Sequence, residues 1–453
     1  MRRPGITWLL LAAGLLATFS ALVAALLAAS RVSHSMARDR ALPRGLAAIG
    51  GPMNSPVQAL AASAILVVLV ILSTGNVEIA GAAASLIFLL SFALTNAAGL
   101  LVRFRGGATA SYRAPFYPAL PILGVSACLA LAMFQAVVAP IACLVVLAWL
   151  LVGGFLYRAR FGARARTVSA RTEAVDDTLV RLRGRNPVVL VPIANPDRAE
   201  ALLQFAHALT TPGVGRVLTL TVARRPDDSD VDKAIEAYGQ SEAVLRHAVE
   251  TAARFGRVFE GVVLLAPDVG QAIARTARER HPETVLLGMS DLSKPGGNLL
   301  LEEIISRTAA DVVVLNAPPL WRLDTAHRVL VPVAGGAPHD PLRARVLGML
   351  LRDDHREAKV LRVLSPGDDP DLARRELREQ AEDLGLGVDA CIVDDGTDSA
   401  ESIIRHSADA DLLILGFGAV GGRRRILGPF AQRVIGGSHC PVVAIAQARP
   451  RFR

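Results

Sequence analysis

The sequence contains few lysines and, over its first 170 residues, almost no acidic side chains. Only three of the 49 basic residues are lysines. Residues 1–170 hold thirteen arginines but only two acids, Asp39 and Glu78, a net charge of +11. Residues 171–453 hold 36 basic and 39 acidic side chains, a net charge of −3. The basic character therefore belongs to the first part of the chain. A nucleic-acid-binding domain, which carries a basic surface on a soluble fold, is disfavoured.

Cysteine and histidine lack the spacing that metal or catalytic chemistry requires. The four cysteines form no metal-binding or redox motif. The histidines after residue 200 are scattered, and none lies at metal-ligand spacing from a second histidine or a cysteine. No catalytic constellation is recognisable. We therefore expect neither a metal site nor an enzymatic activity.

Five long apolar runs occupy the first part of the chain. They cover Ile6–Ser30, Pro56–Thr74, Ile79–Val102, Pro118–Val138 and Ala139–Tyr157. A membrane-spanning helix needs about 20 such residues. A cleaved signal peptide is the alternative for the first run, but its 25 uncharged residues exceed the roughly 7–15 of a signal-peptide core. The pattern predicts an α-helical membrane domain with five spans over residues 1–157.

The arginines between these runs predict the orientation. Clusters follow the first, third and fifth runs, at residues 31–44, 103–113 and 158–166, whereas the two other loops contain none. Because positively charged loops stay in the cytoplasm, we expect cytoplasmic C-terminal domains, an outward N-terminus and a multi-pass protein of the inner (plasma) membrane. Arg2 and Arg3 oppose this orientation, which suggests that further sequence precedes residue 1.

Three segments resemble amino acid permeases of the amino acid–polyamine–organocation superfamily. Ala28–Arg44 is similar to the loop after the eighth helix, Phe88–Asn96 to the tenth helix and Tyr112–Gly124 to the start of the eleventh. The resemblance implies helices eight to twelve of a twelve-helix permease. In that family the substrate binds at two interrupted helices, the first and the sixth. We therefore expect no transport by this chain alone, and a separate chain that supplies the missing helices.

A few polar residues lie in or near the spans: Ser20, Ser30, Thr95 and Asn96. Polar groups inside a membrane often line a transport pathway. Small polar side chains also bond to their own helix backbone or tie helices together. We favour the second interpretation because no span carries a well-buried ionisable residue.

A polar linker, residues 158–185, precedes a duplicated region. The matching segments are Asn186–Asn195 with His327–Gly335, Thr284–Ser290 with Asp411–Gly418, and Asp311–Leu315 with Pro441–Ile445. A period of roughly 130–140 residues indicates a repeated domain. We call residues 186–318 copy one and residues 327–447 copy two.

Each copy alternates short β-branched runs with amphipathic helices. In copy two the predicted strands are 328–333, 358–364, 388–394, 411–416 and 441–446, and the predicted helices are 340–353, 370–384, 398–408 and 429–437. Strands that alternate with helices form parallel β-α-β units, and continuous apolar strands indicate a sheet covered on both faces. Each copy is therefore predicted to be a doubly wound α/β domain. The last strand of each copy is an apolar edge, so we expect the copies to pair within the chain.

Both copies also resemble the universal stress protein family. The resemblance rests on Val329–Val333, and on Leu427-Gly428 followed by a helix that leads into Cys440–Ile445. It implies that a Gly-x-x-Gly segment and a later Gly-Ser or Gly-Thr surround the phosphates of a bound nucleotide. Glycines allow backbone amides to approach phosphate, and a helix N-terminus favours anions.

This chain matches the nucleotide-binding pattern only in part. The candidate residues are Val333, Ala334, Gly416, Gly418, Gly428 and Pro429. Ala334 stands where nucleotide-binding members place an aspartate, and Pro429 lacks the hydroxyl that follows the last glycine. Copy one departs further, with Ala194 in the aspartate position and Asn298-Leu299 where Gly-Ser would be. We therefore expect weak binding of ATP or another adenine nucleotide, better in copy two, where Arg423, Arg424 and Arg425 offer positive charge.

Two functions are compatible with this organisation. The first is a membrane transport protein, the C-terminal part of an amino acid permease, with a cytoplasmic tandem regulatory domain. The second is a membrane-anchored stress or nucleotide sensor, or a scaffold, with no transport of its own. The expected partners are the lipid bilayer and a chain with the missing helices, and no nucleic acid.

Overall fold

The computed structural model of the chain divides into two compact units, residues 1–166 and 167–453. The residues that the structure describes are 4–50, 55–104, 116–182, 187–211, 214–224, 231–254, 259–289, 295–334, 340–352, 355–396, 398–416 and 428–447.

Five α-helices form the first unit, one on each predicted apolar run. They are α1 (Pro4–Arg38), α2 (Val57–Thr74), α3 (Val77–Phe104), α4 (Ala119–Val138) and α5 (Pro140–Leu156). In the described part, four of them are long and apolar enough to cross a membrane, whereas the apolar helix at Val57–Leu72 is shorter. The helical membrane architecture is confirmed, and among the described residues four helices reach the length of a span, against the five predicted.

Small residues let the helices of this unit pack closely, while large apolar side chains face outward. Ala83 and Leu86 of α3 are buried against Ala142 and Val146 of α5. At Gly124 a side-chain methyl would lie 3.0 Å from the Asn96 side chain, so glycine permits α4 to approach α3. Many leucines, valines and phenylalanines of these helices are exposed, as expected for a surface that contacts lipid.

Several polar side chains in these helices bond to their own backbone. Ser30, Thr95 and Asn96 donate to the carbonyl oxygens of Leu27, Ser91 and Phe92 at 2.8, 2.8 and 2.9 Å. These three side chains therefore bond to the backbone of their own helix, which is the interpretation favoured from the sequence.

One polar contact connects two helices and was not anticipated from the sequence. Gln135 of α4 donates its Nε2 to the carbonyl oxygen of Ala82 in α3, at 2.9 Å. Its Oε1 accepts from the Ser85 hydroxyl at 3.1 Å. Both polar ends of the amide are thereby satisfied by α3, which fixes the register of the two helices.

The linker is helical and enters the second unit. A π-helical turn, Tyr157–Phe161, follows α5 directly and leads into α6 (Gly162–Val175) and then α7 (Asp177–Leu182). The end of α6 is buried, since Ala174 is 1% exposed within the core of the second unit.

The second unit is a single ten-stranded sheet with helices on both faces. The strands of copy one are β1 (Val188–Pro192), β2 (Arg216–Arg224), β3 (Glu260–Ala266), β4 (Thr284–Gly288) and β5 (Asp311–Asn316). Those of copy two are β6 (Arg328–Pro332), β7 (Glu357–Val363), β8 (Cys391–Asp394), β9 (Leu412–Gly416) and β10 (Val442–Ala446). Their spatial order is β3-β2-β1-β4-β5-β10-β9-β6-β7-β8.

The helices alternate with these strands as predicted. They are α8 (Ala199–Ala208), α9 (Val231–Arg254), α10 (Val269–Arg280) and α11 (Pro295–Arg307) in copy one, and α12 (Pro341–Leu350), α13 (Pro370–Asp383), α14 (Ser399–Ser407) and α15 (Pro429–Gly437) in copy two. The doubly wound α/β fold is confirmed. Two boundaries differ from the prediction by three residues: β8 begins at Cys391 instead of residue 388, because Val388–Ala390 forms a 3-10 turn, and α12 ends at Leu350 instead of residue 353.

The two copies meet along their last strands. Within each copy the strands are parallel, whereas β5 and β10 are antiparallel, with Val314 opposite Ala444. Each face of the sheet has one hydrophobic cluster, and each cluster contains residues from both copies. Phe205 and Leu347 share one cluster, and Ile305 and Val434 share the other.

Asp411, directly before β9, forms hydrogen bonds with residues at the start of β6. It accepts hydrogen bonds from the backbone nitrogens of His327 and Arg328 at 3.0 and 2.8 Å, and from the Arg328 guanidinium at 2.8 Å. The hydrogen bond from the Arg328 side chain is the main cause that lowers the pKa of Asp411 from 3.8 to about 2, against an opposing effect of burial.

We predict that Asp411→Asn reduces the acid sensitivity of the second unit. Because the folded-state pKa lies below the unfolded value, Asp411 contributes roughly 2 kcal/mol above pH ~4, and this contribution is lost as the pH falls toward ~2. The measurement is urea unfolding followed by Trp321 fluorescence, with Trp8 and Trp149 replaced by Phe. Asp324→Asn, which removes an exposed carboxylate paired with Arg322, is the control. Equal loss of stability in acid for the wild type and Asp411→Asn would contradict the assignment.

We also predict that Gln135→Leu loosens the first unit. The substitution leaves the Ser85 hydroxyl and the Ala82 carbonyl without their partner on α4. Interhelical hydrogen bonds in membranes contribute about 0.6–2 kcal/mol. The measurement is the temperature at which Cys128 and Cys143 become reactive to a thiol dye, with Cys391 and Cys440 replaced by Ser. The control is Thr18→Val, because Thr18 donates to the Gly14 and Leu15 carbonyls of its own helix. A midpoint unchanged by Gln135→Leu would show that apolar packing alone holds α3 and α4.

Candidate ligand-binding crevices

Each copy has a crevice where the chain changes direction across the sheet. In copy two this point lies between β6 and β9, which are adjacent and parallel. The helix after β6, α12, packs in one hydrophobic cluster, and the helix after β9, α15, packs in the other. Neighbouring strands followed by helices on opposite faces leave a gap at their carboxyl ends, where ligands bind in open α/β sheets.

The structure brings most of the sequence-predicted residues of copy two to this edge. Val333 and Ala334 follow β6, and Gly416 ends β9. Gly428 is the residue before α15, and Pro429 is the first residue of that helix. Gly418 lies outside the described residues, as do Arg423, Arg424 and Arg425.

The start of α15 has no side-chain cap from its own N-cap residue, Gly428. Gly428 has no side chain that bonds to the first turn, and Pro429 has no backbone N–H. By contrast, the Asp340 side chain caps α12 by accepting from the nitrogens of Leu342 and Arg343 at 3.0 and 3.2 Å. A helix start whose N–H groups have no side-chain cap from the described residues favours an anion.

Arg343 of α12 lies in the same crevice and was missed at the sequence level. Its side chain is only 15% exposed. A methyl group on Gly416 would overlap a terminal nitrogen of Arg343, so the guanidinium rests against the glycine backbone at the end of β9. Any side chain at position 416 would therefore displace the guanidinium from this place.

The guanidinium of Arg343 is poorly compensated by the described residues. Its Nε is buried without a hydrogen-bond partner among them. The paired carboxylate is Asp340, with 4.0 Å between the closest nitrogen and oxygen. Burial lowers the pKa of Arg343, and the charge of Asp340 opposes this effect. Arginine nevertheless stays charged in proteins, so the crevice contains a fixed positive charge.

In copy one an apolar side chain lies against the corresponding glycine. A methyl group on Gly288, at the end of β4, would lie 2.7 Å from the Leu202 side chain of α8. Leu202 is 4% exposed and belongs to the hydrophobic core. The crevice of copy one is therefore filled by an apolar side chain where copy two has a cation. The available signal was Arg343 itself, a charged residue between the buried Leu342 and Ala344 near the start of α12.

The first unit contains a cavity of about 640 Å³ between α3, α4 and α5. Its polar lining residues are Glu78, Ser85 and Gln135, and its remaining lining is largely apolar, including Leu131 and Phe134. The Ser85 and Gln135 side chains are bonded to each other, as described above. Among the described residues, no group of three or more potential metal ligands comes together in either unit.

Family models match almost the whole chain. The amino acid permease model matches residues 3–162. The universal stress protein model matches twice, at residues 186–315 and 325–446. A curated relative, the Na(+)/H(+) antiporter NhaS5 of Synechocystis, is 28% identical over 147 residues. The match covers 30% of this chain and only 21% of that relative's length.

Solved structures of similar proteins include two from Archaeoglobus fulgidus. One universal stress protein is 20% identical, with a TM-score of 0.43, and the match covers 57% of this chain and 96% of that protein. Another, in complex with dAMP, is 18% identical, with a TM-score of 0.24, and the match covers 29% of this chain and 97% of that protein. The family assignment rests on the model matches, which cover more than half of the chain. The chain belongs to the universal stress protein family through two tandem domains, and an amino acid permease-like helical region precedes them.

Proposed function

We propose that the chain is part of an amino acid permease-type transport protein whose tandem universal stress protein domains regulate transport from the cytoplasm. The helical region corresponds to helices eight to twelve of such a permease, and a separate chain supplies the remaining helices. The protein resides in the inner (plasma) membrane, and the proposed role includes no catalytic step. The permease match and the antiporter relative support membrane transport. The arginine-rich loops support the orientation.

The observation that carries the regulatory role is the attachment of the linker to both copies. Arg352, which follows α12 in copy two, donates its Nε to the carbonyl oxygen of Ala174 in α6 at 2.7 Å. Its guanidinium also donates to the carbonyl oxygen of Thr210 in copy one, at 3.3 Å. The linker that follows the last membrane helix is therefore bonded where copy one and copy two meet.

A glycine allows the linker to approach α12 closely. A methyl group on Gly348 would lie 3.2 Å from the Ala174 methyl and 3.4 Å from the Arg171 side chain. A side chain larger than methyl at position 348 must displace α6. A regulatory domain acts by favouring one state of its partner through contacts that differ between states, and this contact is a suitable place for such a difference.

We predict that Gly348→Leu alters transport. The leucine side chain pushes α6 away from α12, which uncouples the linker from the cytoplasmic domains. Coupling energies between sites are typically about 1–3 kcal/mol, so a change of about fivefold or more in the uptake of labelled amino acids is expected. The assay compares membrane vesicles from cells that carry the wild type or a variant in the natural background. The control is Gly239→Leu, because Gly239 lies on α9 with no atom within 4 Å of an added methyl.

The alternative function predicts a different result. If the chain is a membrane-anchored stress or nucleotide sensor, or a scaffold, deletion of its gene leaves amino acid uptake unchanged. Equal uptake with wild type, Gly348→Leu and the deletion would therefore overturn the transport proposal. A deletion that abolishes uptake, combined with normal uptake in Gly348→Leu, would retain transport and remove the regulatory role of the linker.

We further predict that the purified chain binds ATP with a Kd above about 1 µM. Ala334 and Pro429 take the places of an aspartate and a hydroxyl residue, which removes two expected polar contacts. A hydrogen bond to a charged group contributes roughly 1.5–3 kcal/mol, so each loss weakens binding about tenfold or more. Calorimetry measures the affinity directly. Submicromolar binding would show that other residues compensate for both.

A further inference from the structure

The cavity of the first unit lies among side chains that face the bilayer. It encloses about 640 Å³ between α3, α4 and α5, within the roughly 300–1,000 Å³ that ligand pockets occupy. Four of its apolar lining residues are more than half exposed, and they are Leu131, Phe134, Val138 and Ile141. Because exposed apolar side chains of membrane helices contact lipid, the cavity opens toward the hydrocarbon of the bilayer. A ligand can therefore enter it from the membrane.

Glu78 gives this cavity a single negative charge. It is the only charged residue in residues 45–102, and residues 114–157 contain none. The three helices that form the cavity contain one basic residue, Arg103, which lies at the opposite end of α3, roughly 37 Å away along the helix axis. Ionisable residues of membrane helices usually pair with an opposite charge. A ligand for this cavity should therefore supply a cation, whereas a ligand of net negative charge is repelled by Glu78.

The polar groups of the cavity follow one another along one face of α3. Its lining residues on this helix recur at intervals of three or four, the spacing of a single helix face, and they include Glu78, Ala82, Ser85 and Leu89. Ser85 lies about 10 Å further along the helix than Glu78, and it is bonded to Gln135. The amide of Gln135 donates to the Ala82 carbonyl and has a second N–H for a ligand. The cavity thus presents a carboxylate, then an amide donor, then apolar side chains.

A phospholipid with a primary ammonium headgroup presents the complementary groups in the same order. Its ammonium donates to a carboxylate, its ester carbonyls accept hydrogen bonds, and its acyl chains are apolar. We propose that the cavity binds one such lipid, with the ammonium on Glu78, an ester carbonyl at the amide of Gln135 and an acyl chain against Leu131 and Phe134. The site belongs to the first unit alone, and lipid binding there is independent of whether the chain transports amino acids.

Native mass spectrometry of the full purified chain tests the choice of headgroup. The probes are phosphatidylethanolamine, phosphatidylglycerol with the same acyl chains, and dodecylamine. We expect phosphatidylethanolamine to bind at least about tenfold more tightly than phosphatidylglycerol, because only its headgroup forms a charged hydrogen bond with Glu78. Equal affinity for the two lipids would overturn the proposal. Dodecylamine that binds as tightly as phosphatidylethanolamine would identify a soluble amphiphilic amine as the ligand and would overturn the assignment to a lipid.

Substitution of Glu78 separates the charge from the shape of the cavity. Glu78→Gln keeps the size of the side chain and removes its charge, so we expect it to abolish the preference for phosphatidylethanolamine over phosphatidylglycerol. The control is Asp39→Asn, which removes the other acid of residues 1–170, an exposed side chain directly after α1, and should leave the preference unchanged. A preference that persists in Glu78→Gln would show that Glu78 does not hold the ammonium.

Brominated acyl chains locate the bound lipid, because bromine quenches tryptophan fluorescence at short range. Phe134→Trp places the probe in the cavity, and Leu147→Trp places it on an exposed part of α5 outside the cavity. The three native tryptophans are replaced by phenylalanine in both variants. With a small fraction of brominated phosphatidylethanolamine in the bilayer, we expect quenching at position 134 to exceed quenching at position 147, and Glu78→Gln to remove the difference. Equal quenching at both positions in the presence of Glu78 would show that bulk lipid or another helix fills the cavity, and would overturn the proposal.

Discussion

The antiparallel pairing of β5 with β10 is the contact on which the second unit depends. Each of these strands is the last of its copy, and each is mostly apolar. A strand at the edge of a sheet exposes unpaired N–H and C=O groups, so two such edges satisfy each other when they pair. The pairing makes one sheet of ten strands. It also merges the cores, because each hydrophobic cluster draws residues from both copies.

The repeat pattern predicted the doubly wound α/β fold of each copy, because the sequence signals for strands and helices are local. A continuous apolar strand such as Val329–Val331 is recognised from a few consecutive residues. An amphipathic helix such as α13 is likewise recognised from the spacing of nearby apolar residues. The wrong predicted start of β8 also has a local cause. Val388–Ala390 lies next to a strand at the edge of the sheet, where fewer partners hold the chain extended. Strand composition alone therefore does not fix where an edge strand begins.

The functional residues were harder to predict because their partners are distant in sequence. Gln135 and Ala82 are 53 residues apart, and Arg352 and Ala174 are 178 residues apart. The family's glycine motif located the crevice through Gly416 and Gly428. The motif gave no information on Arg343. That Arg343 lies against Gly416 is evident only in the folded chain, where α12 packs beside the end of β9. The family resemblance thus pointed to the crevice, and packing showed that Arg343 lies beside Gly416 there.

The joining of both copies in one chain has a consequence for stoichiometry. Two separate subunits that pair through their edge strands exist as monomers when dilute and as dimers when concentrated. Here β5 and β10 belong to the same polypeptide, so their encounter is intramolecular and independent of expression level. Every molecule of the protein therefore contains one complete pair of domains. A cell that makes little of this protein has fewer such assemblies, but each of them keeps the same one-to-one ratio of its two halves.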